Sequence, residues 1–237
     1  MTVGTIVEPL AISDAARKEP KKCVVLLSGG IDSATLLYKL VFDYECYPLS
    51  IKYGQRHEKE IVAARNLCEA RNANLLLRWK LADLSSLGLL LKSTLTGYGD
   101  IPEGHYQAEN MKQTVVPNRN MIFLAVAAGY AQTIEAGYVA YAAHAGDHYI
   151  YADCRPEFIK SAAKTIKLAT EVELIEPFMH VNKTDIVKMG RKLNVPYRLT
   201  WSCYKGGDRH CGRCGSCNER KEAFREAGVE DPTTYEE

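Results

Sequence analysis

Cys23-Val24-Val25-Leu26-Leu27 is an unbroken apolar run that stops at Ser28-Gly29-Gly30. A strand made of it has no polar face, so it must be covered on both sides. The following residues, Asp32 to Phe42, place Leu36, Leu37, Leu40 and Val41 at helical spacing. Strand, glycine turn and helix in that order begin a parallel sheet, because a parallel partner strand can be reached only by a long crossover. The alternation continues along the chain. Strands are expected at 47–51, 74–79, 138–142 and 172–175, and helices at 58–71, 120–134, 156–169 and 184–193. The expected fold class is α/β, a doubly wound and mostly parallel sheet.

Three segments are expected: a loose arm over 1–20, an α/β domain over 21–197, and a small cysteine-rich module with a final helix over 198–237. Between Asp83 and Asn118 the pattern breaks at Gly97, Gly99, Pro102 and Gly104. A loop of that length inside a compact domain usually covers or lines a binding site. Thirty basic residues against twenty-nine acidic ones leave a net charge of +1. No global cationic field exists to draw a phosphate backbone, and no direct contact with nucleic acid is expected. No apolar stretch is long enough to cross a membrane, and the first residues mix acidic and basic side chains instead of forming a secretion signal. A cytoplasmic location is the expectation.

Ser28-Gly29-Gly30-Ile31-Asp32-Ser33 sits where a strand ends and a helix begins. The glycines let backbone approach a ligand, the helix start offers unpaired N–H groups, and the two serines add hydroxyls. That combination makes an anion cradle; the plainer reading is a tight turn with Asp32 as N-cap. The Gly-Lys-Ser/Thr loop of the common nucleotide triphosphatases is absent.

Of eight cysteines, Cys23, Cys46, Cys68 and Cys154 are scattered, whereas Cys203, Cys211, Cys214 and Cys217 lie within fifteen residues. In a reducing compartment such a cluster reads as a metal site, with Gly206, Gly207, Gly212 and Gly215 supplying turns. Zinc leads and an iron–sulfur cluster is second, because the fourth cysteine of a ferredoxin run is missing at Lys221. His210 offers an alternative ligand, although Cys203 already makes four. A closed set of four leaves no open position, so the ion should be structural.

The Ser28–Ser33 loop resembles that of the ATP-pyrophosphatase superfamily, which cleaves ATP between the α- and β-phosphates and transfers AMP to an acceptor oxygen. Other segments narrow the likeness: Tyr53-Gly54-Gln55-Arg56-His57 with Glu60, Val115 to Asn120, Tyr151 to Phe158, Lys183, Thr200 to Tyr204 with Arg220, and Asp231 to Tyr235. As an ordered set from Cys23 to Tyr235 they resemble the 7-cyano-7-deazaguanine synthase family. That resemblance implies ATP, 7-carboxy-7-deazaguanine and ammonia as substrates, one zinc per chain, Mg²⁺ with ATP, and a homodimer. It implies an adenylate, then an amide, then the nitrile, with AMP and pyrophosphate released and the product serving queuosine or archaeosine synthesis. By the same resemblance ATP is bound by Leu27, Ser28, Gly29, Gly30, Ile31, Asp32, Ser33, Ala34, Thr35, Leu36 and Leu37. Asp32, Ser33 and Lys183 would be catalytic, and Tyr53, Gln55, Arg119, Asn120, Asp147, Asp153 and Arg155 would bind the substrate. Two positions depart from the family pattern: Asn118 stands for Gly, and Ala152 for Pro. Asn tolerates the left-handed backbone that Gly would use. Two other enzymes would fit much of this pattern: a relative that joins the deazaguanine acid to an amine on another molecule, and a tRNA-modifying relative.

Overall fold

The computed structural model describes residues 20–236, so the expected N-terminal arm lies outside the described residues except at Pro20. Five strands form one parallel sheet in the order β3-β2-β1-β4-β5, with β1 (Lys22–Leu26) at its centre. After β1 come α1 (Ile31–Leu40), β2 (Glu45–Lys52), α2 (Lys59–Arg71), α3 (Ala73–Arg78), β3 (Lys80–Asp83) and the single turn α4 (Leu87–Leu90). The second half supplies α5 (Arg119–Thr133), β4 (Tyr138–Ala140), α6 (Pro156–Thr170), β5 (Glu173–Ile175), α7 (Lys183–Lys192) and α8 (Gly215–Ala227).

Alternate residues of β1 face opposite layers, as the period of a strand requires. Cys23, Val25 and Leu27 pack with α1, α2, α7 and α8. Val24 and Leu26 pack with α5 and α6 through Leu124, Ala127, Ala128 and Ile166. The strand order reverses between β1 and β4, and the crevice beyond the carboxyl ends of such strands is where doubly wound sheets bind ligands. Among the described residues no helix is long and apolar enough to cross a membrane.

Residues 74–79 are not the third strand. Residues 74–78 belong to helix α3, Trp79 ends it, and the strand follows at 80–83. The Asn72 side chain caps that helix by accepting the Leu75 N–H at 2.8 Å, and Leu75 is buried while Leu77 is exposed. One-sided burial is the pattern of a surface helix, not of a strand covered on both faces. The stretch from 83 to 118 contains only α4 and two short 3₁₀ segments, as its glycines imply. Asn118 adopts φ +56 before α5, the left-handed conformation that Asn tolerates.

The C-terminal segment packs against the α/β body. Ala223 and Phe224 of α8 enter the main core, and the 83–118 segment joins it through the Gly104 N–H to the Arg213 carbonyl at 3.1 Å. Arg220, fully buried on α8, donates to Asp231, Thr200, Ser202 and the Tyr197 carbonyl.

Two helical glycines predict opposite outcomes. A Cβ on Gly190 of α7 would lie 1.9 Å from the Tyr197 hydroxyl, whereas one on Gly129 of α5 would meet nothing within 4 Å. Gly190→Ala should destabilise the protein by about 1–3 kcal/mol through overpacking. Gly129→Ala should stabilise it by about 0.5–1 kcal/mol through helix propensity. Denaturant titration of both variants checks the sign.

Candidate active site

A cavity with about 1170 Å³ of empty space, its open mouth included, lies beyond the ends of β1 and β4. Its floor is the Ser28–Ser33 loop. Gly29 has φ +94, and a Cβ there would lie 2.2 Å from the Glu60 carbonyl, so α2 can pack this closely only against glycine. Ser28 and Ser33 hold each other through hydroxyls 3.0 Å apart. The N-cap of α1 is Gly30, not Asp32, and no side chain caps it. The first-turn N–H groups of α1 therefore keep their capacity to bind an anion.

Ionisable side chains from four segments meet beside this loop. Lys183 Nζ, at the start of α7, lies 3.3 Å from Asp32 Oδ2 and 2.6 Å from Glu219 Oε2. Burial opposes the charge on Lys183, but Asp32 and then Glu219 outweigh it and push its pKa up, so the group stays an ammonium. His144 is buried, and its Nδ1 accepts the Gly146 N–H at 3.1 Å. Its Nε2 faces Asp147 Oδ2 at 3.5 Å and Asp32 Oδ2 at 3.7 Å. Tyr106 donates to Asp147 Oδ1 at 2.9 Å. Asp32 Oδ1 is buried and has no hydrogen-bond partner, a cost that a bound ligand or cation would remove.

Away from the loop the cavity is walled by Tyr53, Phe123, Tyr141, Tyr151 and Tyr204, with Arg119 among them. Burial pushes the pKa of Tyr141 and Tyr204 well up, so both remain phenols. The Arg119 guanidinium lies 5.8 Å from the ring centres of both Tyr53 and Phe123. Its Nε donates to the neighbouring Asn120 side chain at 3.2 Å. Among the described residues no carboxylate lies within 4.0 Å of it. An inward cation set on aromatic faces without an acid partner suits an anionic ligand.

Of the residues expected at the site, Leu27, Ser28, Gly30, Ile31, Asp32, Ser33, Tyr53, Arg119, Asn120, Asp147 and Lys183 line this one cavity. Gln55 does not: it is buried and accepts the Tyr53 N–H at 2.8 Å, which shapes the turn after β2. Asp153 accepts the Asn120 N–H at 3.0 Å and so fixes the start of α5. Arg155 is exposed and donates to the His148 carbonyl at 3.0 Å. Ala34, Thr35, Leu36 and Leu37 are fully buried along α1, pointing into the core and not into the cavity. Sequence reasoning missed Glu219, His144 and the tyrosines at 106, 141, 151 and 204. Tyr151 and Tyr204 stand in segments that carry the family resemblance; only contact across the fold reveals the others, because no local spacing marks them.

Cys203, Cys211, Cys214 and Cys217 are buried, and their sulfur atoms all lie within 4.8 Å of one another. Backbone N–H groups point at the sulfurs: Cys211 to Cys203 at 3.3 Å, and Cys214 and Arg213 to Cys211 at 3.3 and 3.4 Å. Hydrogen bonds from the Cys214 and Cys217 thiols, and from the backbone, pull the Cys203 pKa down, and the same sharing pushes those of Cys214 and Cys217 up. Donors converging on sulfur favour thiolate, the form that binds metal. His210 is not part of this set. Its Nε2 accepts the Ser202 N–H at 3.1 Å and its ring lies 4.3 Å from that of Trp201. Burial, with Arg220 nearby, lowers its pKa to about 4 and keeps it neutral.

Residues 22–228 match the family model described as queuosine biosynthesis protein QueC. A protein of Caldicellulosiruptor saccharolyticus named 7-cyano-7-deazaguanine synthase is 51% identical over 219 residues, covering 91% of this chain and 96% of that one. A protein of the same name from Methanoregula boonei is also 51% identical, covering 91% of this chain and 99% of the relative. Among solved structures, NMN synthetase from Francisella tularensis superposes with a TM-score of 0.51 at 15% identity, over 92% of this chain and 81% of the other. That likeness concerns the fold alone.

Because the four sulfurs converge on one point, Cys214→Ser should lower bound metal from about one ion per chain. It should also loosen the segment after Thr200, since a structural metal contributes folding free energy directly. Elemental analysis and limited proteolysis read the two effects.

Proposed function

This chain belongs to the queuosine biosynthesis protein QueC family, and on that premise we propose that it converts 7-carboxy-7-deazaguanine and ammonia to 7-cyano-7-deazaguanine at the expense of two ATP. The observation that carries this reading is the single cavity, which joins an anion cradle to an aromatic chamber holding an unpaired cation. A carboxylate is a poor electrophile. Attack of its oxygen on the α-phosphorus forms an acyl adenylate and expels pyrophosphate, after which ammonia displaces AMP and leaves the amide. In the second round the amide oxygen takes AMP from another ATP, and loss of AMP with the remaining N–H protons leaves the nitrile.

The Ser28–Ser33 loop and the first turn of α1 hold the departing pyrophosphate, and Lys183 offsets the charge that develops there. Mg²⁺ bound with ATP would neutralise phosphate charge, and Asp32, with its unpartnered Oδ1, is the residue suited to hold it. Arg119 pairs with the substrate carboxylate, and the neighbouring tyrosines cover the flat ring. Asp147, lining the same cavity, accepts N–H groups of the guanine-like edge.

Zinc is the metal we assign to the cysteines. Tetrahedral Zn–S bonds of about 2.3 Å set sulfur atoms roughly 3.8 Å apart, and Cys211 and Cys217 are 4.0 Å apart. An iron–sulfur cube needs a wider opening. The enzyme is read as cytoplasmic and, by its likeness to the family, as a homodimer.

With the acid, Mg-ATP and ammonium, the nitrile should accumulate by way of the amide, with two AMP per nitrile and no ADP. Mass spectrometry of the products tests this; AMP without amide or nitrile would instead favour conjugation to an amine on another molecule. Arg119→Gln should raise KM for the acid roughly 10- to 100-fold, the worth of a charge-assisted pair. KM for the neutral amide should change far less.

A further inference from the structure

Glu219 brings a carboxylate from the C-terminal helix to the phosphate loop. It stands two residues beyond Cys217, on the helix whose first turn begins at the metal cluster. Its Oε2 accepts from Lys183 Nζ at 2.6 Å, and the two side chains are only 12% and 14% exposed. Lys183 also approaches Asp32, but at the longer distance of 3.3 Å.

A lysine carries a point charge on four rotatable bonds, with no geometry of its own. Such a charge lowers a barrier only where it is held in place before charge develops. Asp32 is poorly suited to be the sole anchor, since its other oxygen is unpartnered beside the phosphate cradle. The Asp147 carboxylate acts on Lys183 only through space, and the Tyr106 ring, 5.8 Å from Nζ, sets no direction as sharply as a hydrogen bond does.

We propose that Glu219 is a positioning residue: it fixes the Lys183 ammonium beside the phosphate loop, making the helix that starts at the cysteine cluster part of the ATP machinery. Asp32 is thereby left free to exchange its contact with Lys183 for one with the nucleotide and its cation. The inference rests on the reading that this cavity binds ATP, but not on which amine accepts the acyl group. It also gives the cysteine cluster a consequence for chemistry, because the ion would set where α8 starts and hence where Glu219 stands.

The test is exchange of labelled pyrophosphate into ATP, driven by the deazaguanine acid, which reads adenylate formation alone. Absence of exchange in the unaltered protein would defeat the ATP reading itself. Given exchange, Glu219→Gln should slow it roughly 10- to 100-fold, the scale for a catalytic group displaced by about 1 Å. KM for the acid and metal content should stay unchanged. Lys183→Ala should be slower still, and Lys183→Ala with Glu219→Gln no slower than Lys183→Ala alone, because Glu219 acts only through the lysine. If Glu219→Gln loses metal or unfolds, Glu219→Asp decides: it keeps the charge but shortens the reach, and should slow exchange with metal retained. Wild-type exchange in the folded glutamine or aspartate variant overturns the proposal. So does a double variant slowed by the product of the two single effects.

Discussion

The Arg220 guanidinium is wholly buried, and it is met on every side. Asp231 accepts from its Nε at 3.1 and 3.2 Å, Thr200 from one terminal nitrogen at 2.8 Å, and the Tyr197 carbonyl from the other at 3.2 Å. Removing one partner of a buried ion pair typically costs about 3–5 kcal/mol, because the other charge is left stranded. Here the pair joins α8 to the segment from Tyr197 to Cys203 and to the chain end at Asp231. That segment delivers the Trp201 N–H to the Gly29 carbonyl at 2.9 Å. It also delivers Cys203 to the other three cysteines. The floor of the cavity and the cysteine cluster thus depend on one cation inside the protein.

The cavity holds a charged cluster and an aromatic wall, and Tyr106 touches the first. Asp32, Asp147, Glu219, His144 and Lys183 crowd beside the phosphate loop, whereas Arg119 stands among rings. This suits a reaction in which a nucleotide and a planar acid meet at a single phosphorus. In the proposed reaction the unpaired guanidinium would draw the acid in, and the serines and helix N–H groups would receive the pyrophosphate that leaves. Because Tyr141 and Tyr204 are buried and stay protonated, they line the cavity as hydrogen-bond donors without adding negative charge.

The helix at 73–78 shows how far local patterning can be trusted. Asn74 to Trp79 is apolar enough to read as a strand, and a strand does lie just beyond it. What decides is the Asn72 cap and the exposure of Leu77, and both depend on where the sheet edge falls. Gln55, Asp153 and Arg155 teach the same lesson for the site. They sit in segments that line the cavity, yet their side chains bond backbone nearby and shape the turns that present their neighbours.

Several features were legible in the sequence because each is written in adjacent residues. The two-sided strand, the Ser28–Ser33 cradle, the long glycine-punctuated loop and the four cysteines rest on periodicity, backbone freedom and ligand spacing within a short span. The set of residues converging on the phosphate loop could not be read in that way. His144, Lys183 and Glu219 come from three different segments, and they meet only because β4, α7 and α8 pack around one end of β1. Spacing along a chain constrains neighbours a few residues apart, whereas a distance of 2.6 Å between Lys183 and Glu219 is fixed by how helices stack on the sheet. The sequence alone therefore determined the fold class, the Ser28–Ser33 turn that opens α1 and the cysteine cluster. Only the tertiary structure decided which carboxylate holds the lysine.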